Sequence, residues 1–207
     1  MSPPRDHESR FVSRLQALVP KTGGDDPQAA GHRAALAALR RCLGKPTGAV
    51  VEAYQYVMPY LPAGATQPEE DAYFLVAALF ALHPHHWDQP EEDRRKTNFG
   101  ASFSLLCQTE GVSESVEKRF VALLDAPPET LANHLRQAIS LLRSRDIPVN
   151  YSQLLRDVQW WGLERRSVQR GWARAFWGGY QGGEDATGVG SQIAPSNEED
   201  AGQAPTA

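Results

Sequence analysis

Arginine is the side chain whose number and spacing in this sequence carry chemical meaning. Between Glu117 and Arg174, ten Lys/Arg stand against six Asp/Glu, a local net charge of +4 in a chain whose formal net charge is −4. Arg136 and Arg143 are seven residues apart, two helical turns, so they superpose down one axis. Lys118, Arg119, Arg156, Arg165, Arg166, Arg170 and Arg174 populate neighbouring segments, and Arg40 and Arg41 form a separate basic pair. A planar guanidinium with five donors suits phosphate oxygens, and a row of them can follow a backbone without reading bases. A solvated amphipathic face with intrahelical ion pairs accounts for the same pattern, and on periodicity alone it is slightly the better account. Trp160, Trp161, Trp172 and Trp177 offer rings on which bases can stack, although helical core spacing assigns Trp161 and Trp172 to packing.

Other reactive constellations are thin. His83, His85 and His86, with Asp88 nearby, form the cluster that most resembles metal ligands. Pro84 breaks any helix there, so the expectation is solvated loop histidines and neither metal nor cofactor. A metal-dependent enzyme centred on these histidines is the alternative. No Gly-rich phosphate loop, nucleophile elbow or paired-carboxylate signature occurs. Asp157 and Glu164 flank Trp160-Trp161 and sit beside arginines, which reads as surface ion pairing. Cys42 and Cys107 lie in apolar helical patterns without metal-ligand spacing and read as buried thiols of a reducing cytosol. The expectation is a protein that is not an enzyme.

The elements that must position the arginines all have helical period. Phe11, Val12, Leu15, Leu18 and Val19 share one face of a helix over Glu8–Val19. Asp26-Pro27 signals the start of a second helix, which carries Leu36, Leu39 and Leu43 inward and stops at Gly44. Thr47 to Leu61 superposes Val50, Val51, Tyr54, Val57, Met58 and Leu61, with Pro59 kinking the helix or ending it early. Ala72–Leu82 is apolar all round, a helix buried on every side. Residues 83–98 read as a surface excursion. Helices then follow from Phe99, from a cap at Ser113, across Leu131 to Leu142, from a cap at Ser152, and from Arg165 to Trp177. Strand-type alternation is missing. The fold class expected is all-α, a bundle of about eight to nine helices over residues 7–180, with room for lobes at 7–87 and 97–180.

Residues 181–207 hold five acids, no Lys or Arg and few large apolar residues, the composition of a disordered tail. Setting them aside leaves +1 on the rest of the chain, so a basic face is compatible with an acidic total. No apolar run approaches the roughly 18–20 residues of a membrane span. Residues 1–10 contain no secretory h-region, and a cytoplasmic protein is expected.

Several stretches resemble a known family in order and spacing. They are FGASFSLL from Phe99, EKRF from Glu117 with Leu123-Leu124, HLRQ from His134, DIPVNYSQLLRD from Asp146, Trp160-Trp161 and the closing Arg-rich helix. Together they resemble the small subunit (CasB family) of the type I-E CRISPR surveillance complex, Cascade. The likeness is concentrated over Phe99–Trp177 and absent from the tail. It implies an all-helical, non-catalytic subunit, present with a second copy of itself beside the backbone and large subunits. Its partners would be crRNA and target DNA, including the displaced single strand of the R-loop. Carried over by position, Arg40-Arg41, Arg119 and Arg136 match basic positions of the family. Leu163-Glu164 intervene between Trp160-Trp161-Gly162 and Arg165-Arg166, displacing that basic pair by a residue or two. The residues expected to touch nucleic acid are therefore Arg40, Arg41, Lys118, Arg119, Arg136, Arg143, Arg165, Arg166 and Arg170. A helical scaffold whose arginines meet acidic protein surfaces is the competing class.

Overall fold

The structure, a computed structural model, describes residues 5–20, 27–87, 97–110 and 114–180. Among them the chain forms nine α-helices and no strand. They are α1 (Arg5–Gln16), α2 (Ala29–Arg40), α3 (Tyr54–Val57), α4 (Gln67–Leu82), α5 (Phe99–Glu110), α6 (Glu114–Leu124), α7 (Pro128–Ser144), α8 (Tyr151–Gln159) and α9 (Ser167–Tyr180). The all-α expectation is met. No helix of the described residues is long and apolar enough to cross a membrane.

Helix α4 is the axis. Thr66 caps its start: Glu69 accepts from the Thr66 backbone N–H at 2.8 Å and from its hydroxyl at 2.9 Å. Nine residues between Ala72 and Ala81 are buried, among them four alanines whose small side chains admit close neighbours. α1, α2, α7 and α8 all pack against α4, and α1 also packs on α8. Helices from early and late in the chain therefore share one buried cluster, which includes Phe11, Leu39, Phe80, Leu135 and Leu155. Each fully buried side chain of this size contributes about 1.5–3 kcal/mol relative to exposure.

The second packing unit pairs α5 with α9. A Cβ added to Gly100 would stand 2.0 Å from the Trp172 carbonyl oxygen, so only glycine admits this approach of backbones. Around it runs an aromatic seam: Phe99–Trp172 at 4.9 Å, Phe103–Phe120 at 5.0 Å, Phe120–Phe176 at 4.4 Å and Trp161–Trp172 at 4.9 Å between ring centroids. Trp161 and Trp172 are core, as their spacing predicts. Trp161 donates its indole N–H to the Ala126 carbonyl at 2.9 Å, which fixes the turn between α6 and α7.

Several local expectations are corrected. Thr47–Leu61 is not one helix: short 3₁₀ turns at Val51–Ala53 and Met58–Tyr60 bracket a four-residue α3. Three residues per turn shift the register, so Val51 and Met58 point outward and Ala53 is buried. α2 begins at Ala29 with Gln28 at its N-cap and no side-chain cap; Asp26 lies outside the described residues, as does Ser113. α8 is capped by Asn150, whose side chain accepts from the Gln153 N–H, while Ser152 is buried inside the helix. Cys107 is buried, but Cys42 is only half-buried at the end of the turn after α2. Asp88 and residues 181–207 are not among those described.

The segment after α4 also differs from a surface excursion. His83 is buried, the chain turns tightly at Pro84, and residues 85–87 run beside the chain before α8, with an isolated parallel bridge between His86 and Val149. The Val149 N–H donates to the His85 carbonyl at 3.0 Å. Tyr151 donates its hydroxyl to the His83 carbonyl, and burial drives the phenol pKa well above its ordinary value. Burial likewise lowers the His83 pKa, against the Ile147 carbonyl that meets its ring at 2.7 Å.

Candidate nucleic-acid interface

All nine basic residues singled out from the sequence are exposed. Three of them lie within ion-pair distance of a carboxylate. Arg41 meets Glu52 at 3.4 Å, Lys118 meets Glu114 at 2.6 Å one turn earlier on α6, and Arg166 meets Asp125 at 3.1 Å. These pairs are solvated at both ends, so each is worth at most about 1 kcal/mol and would exchange readily for phosphate. For Arg40, Arg119, Arg136, Arg143, Arg165 and Arg170, no carboxylate among the described residues comes within ion-pair distance.

Two local groups emerge. In the first, Arg136 extends from α7 to the turn that follows Arg40-Arg41, with its Nη1 3.4 Å from where a Cβ on Gly44 would stand. Gly44 has φ +75°, a left-handed conformation that lets the chain turn directly after the basic pair. Arg136 and Lys45 line the same groove of ≈ 810 Å³, bounded by residues of α4, α7 and the turn after α8. Lys45 was not singled out from the sequence, although its place immediately after Gly44 is the signal that finds it.

In the second group Arg165, Arg166 and Arg170 line a hollow of ≈ 440 Å³ together with Trp177 and Val121. Arg166 is not on α9. It precedes the helix at φ +47° and donates through Nη2 to the Leu124 carbonyl at 2.7 Å, hooking the α8–α9 turn onto the end of α6. A single stripe of Arg166, Arg170 and Arg174 along α9 is therefore absent. Arg170 faces this hollow, and Arg174 lines another, of ≈ 790 Å³, with Trp87, Trp160 and Asp157. Arg143, near the end of α7, belongs to neither group; its charge is felt by His83. Arg119 projects from α6 outside all three hollows.

Trp160 and Trp177 are the exposed indoles, at 56% and 37%. Trp160 forms the rim of the ≈ 790 Å³ hollow, and Trp177 donates to Glu117 at 3.2 Å. Asp157, read above as a surface partner of arginine, is instead buried beneath that rim. It accepts from the Trp172 indole at 2.6 Å and from Gln153 at 2.7 Å. Burial pushes its pKa up to about 6, against the opposing pull of those two donors and of Arg156.

Fold and surface together define the class: an all-α protein that carries exposed arginines on several of its helices and turns. The family described as CRISPR-associated protein Cse2 matches residues 35–177. A relative from Thermus thermophilus, CRISPR-associated protein Cse2, is 38% identical over 146 residues, which is 70% of this chain and 79% of that protein. The crystal structure of CasB from Thermus thermophilus superposes with a TM-score of 0.65 at 35% identity, covering 86% of this chain and 99% of that one. A chain of a CRISPR RNA-guided surveillance complex gives a TM-score of 0.67 at 26% identity, covering 86% of this chain and 95% of its own. The chain belongs to the Cse2 (CasB) family of CRISPR-associated proteins.

Proposed function

We propose that this chain is the small, non-catalytic subunit of a type I-E CRISPR RNA-guided surveillance complex. In that role it grips nucleic-acid backbone without reading sequence, stabilising crRNA–target pairing and the displaced strand. The observation that carries the reading is the set of exposed basic side chains with no carboxylate partner among the described residues, in a chain whose structural relatives include a CRISPR RNA-guided surveillance complex chain. Arg40, Arg119, Arg136, Arg143, Arg165 and Arg170 offer guanidinium donors to phosphate; Arg41, Lys118 and Arg166 can trade a solvated carboxylate for one. Sequence is supplied by base pairing in RNA-guided recognition, so the protein needs only to hold the backbone. Exchange of one duplex for another is nearly balanced in energy, and a few such interactions decide its outcome. Partners on this reading are the backbone and large subunits, a second copy of the chain, crRNA and target DNA, in the cytoplasm.

The test replaces Arg40, Arg41, Arg119 and Arg136 together by alanine in the assembled complex and follows target-DNA retention across a salt series. Weaker retention with a shallower salt slope is expected, and an unchanged slope overturns the reading.

A second reading has one observation in its favour. Arg165, Arg166 and Arg170 share their hollow with Val121, Leu124 and Trp177, a mixture of basic and apolar groups suited to a protein surface. If the Arg165/Arg170 double alanine variant fails to join the complex while its fold is intact, that hollow serves assembly rather than DNA.

A further inference from the structure

The segment after α4 and the turn before α8 bring together three groups that none of the arginine clusters includes. A tight turn at Pro84, closed by the His85 N–H donating to the His83 carbonyl at 2.8 Å, brings the rings of His83 and His85 together, while the His86 ring stacks on Tyr151. The bridge between His86 and Val149 holds this segment alongside residues 146–149. His83 and His85 rings lie 5.7 Å apart between centroids. Nδ1 of His85 is 2.8 Å from Oδ1 of Asp146, a residue 61 positions later in the chain. One ligand atom from each of His83, His85 and Asp146 lies within 4.8 Å of the other two.

The tautomer of His83 follows from its partner. Nε2 lies 2.7 Å from the Ile147 carbonyl oxygen, which only accepts, so Nε2 carries the proton and Nδ1 keeps its lone pair. A ring N–H held by a backbone carbonyl is the usual support of a metal-binding imidazole. Asp146 is fixed at φ +52°, a conformation aspartate tolerates, by the bond from its N–H to the Arg143 carbonyl at 3.1 Å. Its side chain is 84% exposed and that of His85 41%, which leaves a route from solvent. The charge of Arg143 opposes a cation here, and the Asp146 carboxylate offsets it.

We infer that His83, His85 and Asp146 form a binding site for a divalent transition-metal ion of the zinc type, joining the end of α4 to the turn between α7 and α8. Two imidazoles and one carboxylate match the borderline character of zinc and leave one tetrahedral position to solvent. The inference stands independently of the nucleic-acid reading.

The full chain, free of any affinity tag and stripped with chelator, is titrated with Zn²⁺ by calorimetry and with Co²⁺ by visible absorption. One equivalent is expected, with tetrahedral Co²⁺ bands and a rise in melting temperature. H85A and D146N each lower affinity about tenfold or more and abolish the rise in melting temperature. Asparagine keeps the left-handed backbone accessible, and His85→Gln retains a hydrogen-bonding side chain beside Asp146 while removing the imidazole. Those two variants therefore separate loss of ligand from loss of the loop. A titration without saturable uptake, or equal affinity in wild type and in D146N and His85→Gln, overturns the inference.

Discussion

Trp172 donates its indole N–H to Oδ2 of Asp157 at 2.6 Å, and both side chains are buried where α8 meets α9. Burial is the largest influence on this carboxyl and raises its pKa from 3.8 to about 6. A raised carboxyl pKa means that folded-state stability is fully present below the unfolded value and is lost as pH climbs through the folded one. Relative to D157N, which cannot ionise, the wild-type chain should therefore lose on the order of 2–3 kcal/mol between pH 4 and pH 7. Urea unfolding of both proteins at the two pH values measures this, and parallel pH profiles would contradict it.

Gly100→Ala should destabilise the α5–α9 pair by roughly 2–4 kcal/mol, because the added methyl collides with backbone rather than with a movable side chain. Gly31→Ala, on α2 with nothing within 4 Å of the added carbon, should be neutral or mildly stabilising. Chemical denaturation of the two variants provides the comparison. Similar losses in both would mean that helix propensity, not collision, sets the cost.

The adjacent tryptophans should behave oppositely. Trp161→Phe removes the donor to the Ala126 carbonyl and costs about 1–3 kcal/mol by leaving a buried acceptor unsatisfied. Trp160→Phe alters an exposed ring and should stay within about 0.5 kcal/mol. If Trp160 stacks a base, its replacement by alanine lowers single-strand affinity in the assembled complex by about 1–3 kcal/mol while stability is unchanged. Fluorescence anisotropy with a labelled oligonucleotide separates the two effects.

Removing one guanidinium that neutralises a phosphate should lower the slope of log K against log salt by about 0.7–0.9. Arg136→Ala and Arg40→Ala, near the same turn, are expected to give comparable slope changes, and their combination roughly the sum. A slope change from Arg119→Ala alone would move the DNA-facing surface to α6. Salt-titrated binding of the assembled complex to target DNA supplies the slopes.

Local period was a sound guide wherever the helix is long and regular, and failed over Thr47–Leu61, where 3₁₀ turns change the repeat. Leu131, Leu135, Ala138, Ile139 and Leu142 of α7 are all buried, because a 3.6-residue repeat places them on one stripe whatever lies opposite. The apolar run of α4 is likewise buried except at Leu75 and Leu82, which are partly buried. Features decided by distant partners were illegible. Asp157 looked like a surface group beside Arg156, and only Trp172, 15 residues on, draws it inward. His85 meets Asp146 across 61 residues, whereas the local sequence pointed to Asp88. Arg166 fits the helical spacing of Arg170 and Arg174, yet its backbone turns left-handed before α9 begins. The basic residues were found by type, but their division into two groups follows from the turn at Gly44 and the hook of Arg166.

The seating of Gly100 against the Trp172 carbonyl constrains how this molecule can move. With backbone resting on backbone, α9 cannot slide along α5, since even one residue of travel is about 1.5 Å. The hollow under Trp160 and the one beside Trp177 lie on different faces of α9, so both are built on a helix that is pinned to α5 at this one glycine.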